Sequence, residues 1–366
     1  MANTTFLEPG GDADFGIGLW PNVVGSPTVA TDFVHGGHIK SIQFPANIQN
    51  YLLASNKASD AGGRVDKWVY FNTLPTGTVS FLGLEQAGDG LEVNSLQITS
   101  VGGLKLSITG GTGGTVSSGA WHRITFDWVI TSTTVNTFKV YLDGSLVITD
   151  TNVSITNTAS ADVFFGNINA DATMDLRISD VYIDNSSALT DPGTIWVTAK
   201  RTFSNGTTNG YTTQIGSGGS GYGTGHAPQV NERPNSDTNG WSMIGAGSAI
   251  TEEYNIESVS QGDINITGAT IVDYMGWIRT SALVSETGNI IVNGVSTNIT
   301  IPTTTAFITK IAGSTTYPAG TGSDIGEITS TTLTTVSLYE AGIIVAYIPS
   351  VGGTQYYSSL ATLGCS

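Results

Sequence analysis

Trp121-His-Arg-Ile-Thr-Phe-Asp-Trp-Val-Ile130, followed by Thr137-Phe-Lys-Val-Tyr-Leu-Asp-Gly-Ser-Leu-Val-Ile148, decides the fold class. In the first run His122, Ile124, Phe126, Trp128 and Ile130 alternate with Trp121, Arg123, Thr125, Asp127 and Val129. A period of two predicts a strand that buries one face. The second run joins two β-rich halves at Asp143-Gly144, a dipeptide that tolerates the positive φ angles of a tight hairpin turn.

The same pattern extends in both directions. Strands are predicted at 38–44, 67–72, 79–84, 91–98 and 104–108, then at 163–165 and 174–184, each bounded by turn residues. In the last of these the apolar phase shifts between Ile178 and Val181, which predicts a bulge or bend at Ser179 and Asp180. Beyond Gly193, strand-like runs fall at 270–279, 288–301 with an Asn293-Gly294 turn, 306–311 and 332–346. Helical periodicity is almost absent. The chain of 366 residues suits two domains, 1–190 and 191–366, with Ser-Ala-Leu-Thr-Asp-Pro-Gly supplying the boundary turn.

Charged residues make up 11% of the chain and the net charge is −16. Both halves share it: 8 basic against 17 acidic side chains before residue 191, and 5 against 12 after it. Such a surface repels phosphate backbones, so nucleic acid is excluded as a partner. The single cysteine, Cys365, allows no disulfide within the chain. Residues 1–10 carry no basic and apolar leader, and the apolar run at 342–348 is too short to span a bilayer. The expectation is a protein made in a host cytoplasm, without membrane insertion.

The order Trp121 to Phe126, Val140-Tyr-Leu-Asp-Gly144, Phe164-Phe-Gly166 and Asp175-Leu-Arg-Ile-Ser-Asp-Val-Tyr-Ile-Asp184 resembles laminin-G-like domains. The resemblance covers roughly residues 1–190 and implies a concanavalin-type jelly-roll sandwich, followed by a second β-sandwich-type domain. Thr194 to Phe203, the glycine-rich stretch 216–225, Gln229-Val-Asn-Glu-Arg-Pro234 and Leu338 to Ala346 are similar to segments of tailed-bacteriophage virion proteins. That similarity implies a particle component on the outer surface of the virion: a capsid decoration, head fibre or tail-associated appendage. The partners it implies are other virion proteins and further copies of the chain, with a trimer as the expected oligomer.

Catalytic patterns are missing from the sequence. A glycanase on this fold needs alternating carboxylates on one strand, and Glu8, Glu85 and Glu92 do not supply them. Glu252 and Glu253 are adjacent, point to opposite faces and are expected to be solvated. Gly216, Gly218 and Gly221 match the spacing of a dinucleotide turn, but no helix is predicted to receive a phosphate. The expectation is a protein that is not an enzyme.

Four histidines remain. His35 and His38 flank a Gly-Gly turn, and two ligands without a third partner do not make a zinc site. His122 reads as a satisfied buried or edge histidine, and His226 as a backbone contact closing the glycine-rich loop. No cofactor is required. Calcium alone is kept open, with Asp60, Asp66, Asp89, Asp127 and Asp171 as rim ligands, because hard oxygen donors suit it. Trp68, Tyr70, Trp121 and Tyr141 could stack on a sugar or pack in a core. On the first of those readings the chain is a receptor-binding lectin that recognises host-surface glycan.

Overall fold

In a computed structural model the chain is built from antiparallel strands, with a single helical turn at Ala227–Val230 among the described residues. Described are residues 4–9 and 18–350, except 37, 39, 47, 56, 59–60, 87–90, 157, 159–161, 172, 187–192, 217–224, 231–239, 245–248, 263, 319–323 and 330–334. Two units result, the first running to Val197 and the second starting at Thr198. Among the described residues no helix is long and apolar enough to cross a membrane.

The first unit is an all-β sandwich. Its larger sheet runs in the order Ser145–Thr151, Asn136–Leu142, Trp121–Ile130, Gly62–Thr73, Asp175–Asp184, Ser41–Phe44, Thr28–Ala30, and Thr4–Glu8 also pairs with Asp175–Asp184. The smaller sheet runs Thr112–Thr115, Gly103–Leu106, Glu92–Ile98, Val79–Glu85, Asp162–Asn167, Asn50–Ala54, Asn22–Val24. Strand alternation sends Val65, Val69 and Phe71 inward beside Ile124, Phe126 and Trp128, where they meet Leu52, Phe81, Leu96 and Phe165 of the other sheet. Phe71 and Phe81 pack edge to face with ring centroids 5.4 Å apart. Asp143 and Gly144 take φ of 51° and 82°, as the hairpin predicts.

One expectation for the strand Trp121–Ile130 is corrected. It buries both faces rather than one, because Arg123, Thr125 and Asp127 on the far side are only 3%, 2% and 9% exposed. Ion pairs make that burial tolerable. Arg64 donates Nε–H and Nη2–H to Asp127 at 2.6 and 2.8 Å, and Arg123 Nε–H reaches Asp66 at 3.0 Å with Thr125 Oγ1–H joining at 2.8 Å.

Among the described residues the second unit's strands join in one 10-stranded sheet, where the sequence suggests a second sandwich. Its longest ladder pairs Thr270–Ala282 with Thr335–Ile348. Asn293 and Gly294 form the expected turn at φ of 50° and 73°.

Lys67 breaks the apolar pattern inside the sandwich. It lies between Val65 and Val69 on the inward phase, is fully buried, and its Nζ has no hydrogen-bond partner. The ammonium sits 4.9 Å from the Phe81 ring centroid and 4.8 Å from that of Phe165. Burial holds its pKa well below the ordinary lysine value. Lys67→Met keeps the length of the side chain and removes an unsatisfied polar group, so it is expected to stabilise the chain by about 2 kcal/mol at neutral pH. Urea denaturation of the two proteins measures the difference, and a less stable variant contradicts the reading.

Candidate functional site

The bulge foreseen at Ser179 and Asp180 organises the outer face of the larger sheet. Ser179 pairs with Trp68 and Tyr182 with Asp66, so Asp180 and Val181 together oppose the single Lys67. Leu176 and Ile178 point inward before the bulge, Val181 and Ile183 after it. Asp180 takes φ of +53°, a left-handed conformation that costs a non-glycine residue free energy and tends to persist where function or dense packing holds it.

Three groups from two other segments meet on the Asp180 carboxylate. His35 Nδ1 lies 2.8 Å from Oδ2, His38 Nε2 lies 3.0 Å from Oδ1, and Val197 donates its backbone N–H to Oδ1 at 2.7 Å. The aspartate is fully buried, and the histidines are 6% and 3% exposed. Burial alone raises a carboxyl pKa; here the charge of His38 and the hydrogen bonds from both imidazoles outweigh it, so the Asp180 carboxyl is held far below the ordinary range.

Aromatic rings surround this cluster. His35 stacks on Trp68 with centroids 4.0 Å apart, and lies 4.7 Å from Trp196 and 5.2 Å from Trp121. Trp121 donates Nε1–H to the Val34 carbonyl at 3.1 Å and lies 5.5 Å from Tyr70. Phe33 stacks on Tyr70 at 4.7 Å, with the Arg177 guanidinium 5.1 Å from its own ring, and remains 44% exposed. The loop carrying Phe33, His35 and His38 needs glycine at position 36: its φ is +52°, and a Cβ there would sit 1.9 Å from the Trp196 ring.

The structure thus brings Trp68, Tyr70 and Trp121 together on one face, outside the sandwich core, while Tyr141 lies on a neighbouring strand opposite Thr125. Of the aspartates suggested for calcium, Asp66 and Asp127 are held by Arg123 and Arg64. Burial pushes the Asp66 carboxyl up against the pull of Arg123, Thr125 and Arg64. Asp171 stands apart at a turn, accepting from Thr76, Thr173 and Met174; desolvation pushes its carboxyl up, but these hydrogen bonds outweigh it and bring the pKa down to about 2. Asp60, Asp89 and Cys365 lie outside the described residues. His122 is satisfied as expected, bridging Ser117 and Asp143 at 2.8 Å each. No local pattern marks Phe33 or Trp196, and the third partner of His35 and His38 is Asp180, 145 and 142 residues away.

The second unit holds another polar cluster, and it corrects the expectation for Glu252 and Glu253. Both are buried, at 0% and 8%: alternation does point them to opposite faces, but both faces are covered. Glu252 stands directly across the ladder from Glu327, also fully buried. His226 Nδ1 lies 2.7 Å from Glu252, the Tyr211 backbone N–H donates to it at 2.9 Å, and Glu327 accepts from Tyr211 Oη at 2.6 Å and Thr280 Oγ1 at 2.7 Å. The His226 ring stacks on Trp241 at 3.6 Å. The backbone N–H of His226 donates to Asn205 Oδ1 at 2.6 Å, while its ring belongs to the glutamate pair.

No family model and no curated protein matches the sequence. Among solved structures, the chain is similar to an endo-beta-1,4-glucuronan lyase from the fungus Trichoderma reesei, with 16% identity, a TM-score of 0.39, and coverage of 52% of this chain and 99% of the lyase. It is similar to a carbohydrate esterase from the Shiga toxin-encoding bacteriophage phi24B, with 15% identity, a TM-score of 0.38, and coverage of 51% and 100%. A Trypanosoma rangeli sialidase matches with 14% identity and a TM-score of 0.35 over 44% of this chain and 27% of the sialidase, so the chain spans about a quarter of that enzyme. All three are enzymes, and against them the expectation of a non-enzymatic chain does not stand. At these scores the likeness assigns this chain neither their reactions nor their substrates.

Burial raises the Glu327 carboxyl to about 7 from an ordinary 4.5, opposed by the hydrogen bonds from Tyr211 and Thr280 and reinforced by Glu252 and Glu286. Between those two values the folded chain keeps a proton that the unfolded chain releases, so stability falls as pH rises from about 4.5 to about 7. Glu327→Gln is expected to flatten this part of the melting-temperature profile and to melt higher than the native chain at pH 8. Calorimetry across the window tests it; parallel profiles for the two proteins contradict it.

Proposed function

We propose that this chain is a component of a bacteriophage particle whose first unit, a concanavalin-type jelly roll, binds host-surface carbohydrate through the outer face of its larger sheet. The observation that carries the reading is the row of rings Phe33, Tyr70, Trp121, Trp68 and Trp196, which lies outside the sandwich core. A pyranose offers an apolar face to such rings and hydroxyls to the polar groups around them. Phe33 is the most open of the rings, and Asp32 and Asp175, both on Arg177, are the nearby hydrogen-bonding groups. Membership of a particle is supported by the similarity of the residues after Gly193 to virion chains.

The test is a glycan array probed with the full chain, followed by calorimetric titration of the best ligand. Phe33→Ala and Trp121→Ala are expected to weaken that ligand by about tenfold each while leaving the melting temperature of the second unit unchanged. A chain that binds no glycan, or variants that bind as the native chain does, overturns the carbohydrate reading. Absence of the chain from purified particles overturns the assignment to the virion.

A further inference from the structure

We propose that His35, His38 and Asp180 form a binding site for one divalent transition-metal ion of the zinc class. The donor atoms are Nδ1 of His35, Nε2 of His38 and a carboxylate oxygen of Asp180, all within 4.8 Å of one another. Two imidazole nitrogens with one carboxylate suit zinc, cobalt or nickel; calcium and magnesium favour oxygen donors throughout. Tetrahedral zinc holds such donors at about 2.0–2.2 Å, which places them roughly 3.3 Å apart. The observed separations of 2.8 and 3.0 Å run to the two different oxygens of Asp180, so around one ion the closest donors open slightly while the widest pair, within 4.8 Å, draws in to about that spacing.

The surroundings are those of a prepared site. His35 and His38 stand at i and i+3 on a turn closed by the His38 N–H to His35 carbonyl hydrogen bond of 2.9 Å, so one loop presents both ligands. The third ligand comes from a bulge with left-handed backbone, oriented by the Val197 N–H. Outer contacts of this kind fix ligand direction in metal centres. Trp68, Trp121 and Trp196 wall the cluster, and the slight exposure of the His35 side chain, 7%, marks where a water or an exogenous ligand would complete the coordination. Bound there, the ion ties the loop carrying Phe33 to the sheet. The site stands on its own geometry, whether or not the aromatic face binds sugar.

The experiment uses the full chain without a histidine tag, dialysed against chelator and then titrated with ZnCl2 by calorimetry, with cobalt as a spectroscopic probe. Expected are one equivalent of zinc per chain, a melting temperature several degrees higher in roughly tenfold excess metal, and the visible ligand-field bands of a four-coordinate cobalt site. His38→Gln and Asp180→Asn are expected to abolish all three. Because Asp180→Asn removes a buried anion and could unfold the unit, His35→Gln is the second variant, and its fold is checked by circular dichroism. A native chain that takes up neither zinc nor cobalt overturns the proposal and leaves a metal-free histidine–aspartate clamp. Undiminished binding by the folded His35→Gln and His38→Gln variants overturns it as well, by placing the ion elsewhere.

Discussion

A buried carboxylate must be satisfied, and in the first unit that requirement falls on Asp180. Its two oxygens accept from two imidazoles of one loop and from the backbone of Val197. Remove the carboxylate and the His35 loop, the start of the strand Trp196–Asn209 and the bulge lose their common partner. The aromatic face depends on this point, because the loop that brings Phe33 over Tyr70 is the loop that brings His35 and His38 to Asp180.

The larger sheet shows a second form of the same rule. Its inner side is apolar but for Lys67, while its outer side carries Arg64, Asp66, Arg123 and Asp127 at 9% exposure or less. Burying such charges is costly unless each is paired, and the bidentate contacts across the strands Gly62–Thr73 and Trp121–Ile130 pair them. The second unit solves the problem differently. There the carboxyls of Glu252 and Glu327 face each other across a ladder with tyrosine, threonine and histidine donors, and one of them keeps its proton to about neutral pH.

Local patterns in the sequence carried most of the strand content. Alternation over 121–130, the Asp143-Gly144 and Asn293-Gly294 turns and the phase shift between Ile178 and Val181 are all properties of neighbouring residues, and each corresponds to an observed feature. What they could not carry is who covers a face. Alternation places Glu252 and Glu253 on opposite sides of a strand without saying that both sides are buried, and it places Arg123 outside without saying that a paired layer seals it. The candidate site was hidden for the same reason: His35 and Asp180 are 145 residues apart. Lys67 was legible in principle, as the one charge on the apolar phase of Val65, Val69 and Phe71.

The pairing of Gly62–Thr73 with Asp175–Asp184 has a consequence for how the chain comes to fold. This central ladder of the larger sheet joins segments more than a hundred residues apart, and the strand at Thr4–Glu8 docks on the same late segment. Closing loops of that size is slow, and the contacts that reward it arrive only after closure. During synthesis neither Gly62–Thr73 nor Thr4–Glu8 can complete its pairing until Asp184 has left the ribosome, so the larger sheet closes late.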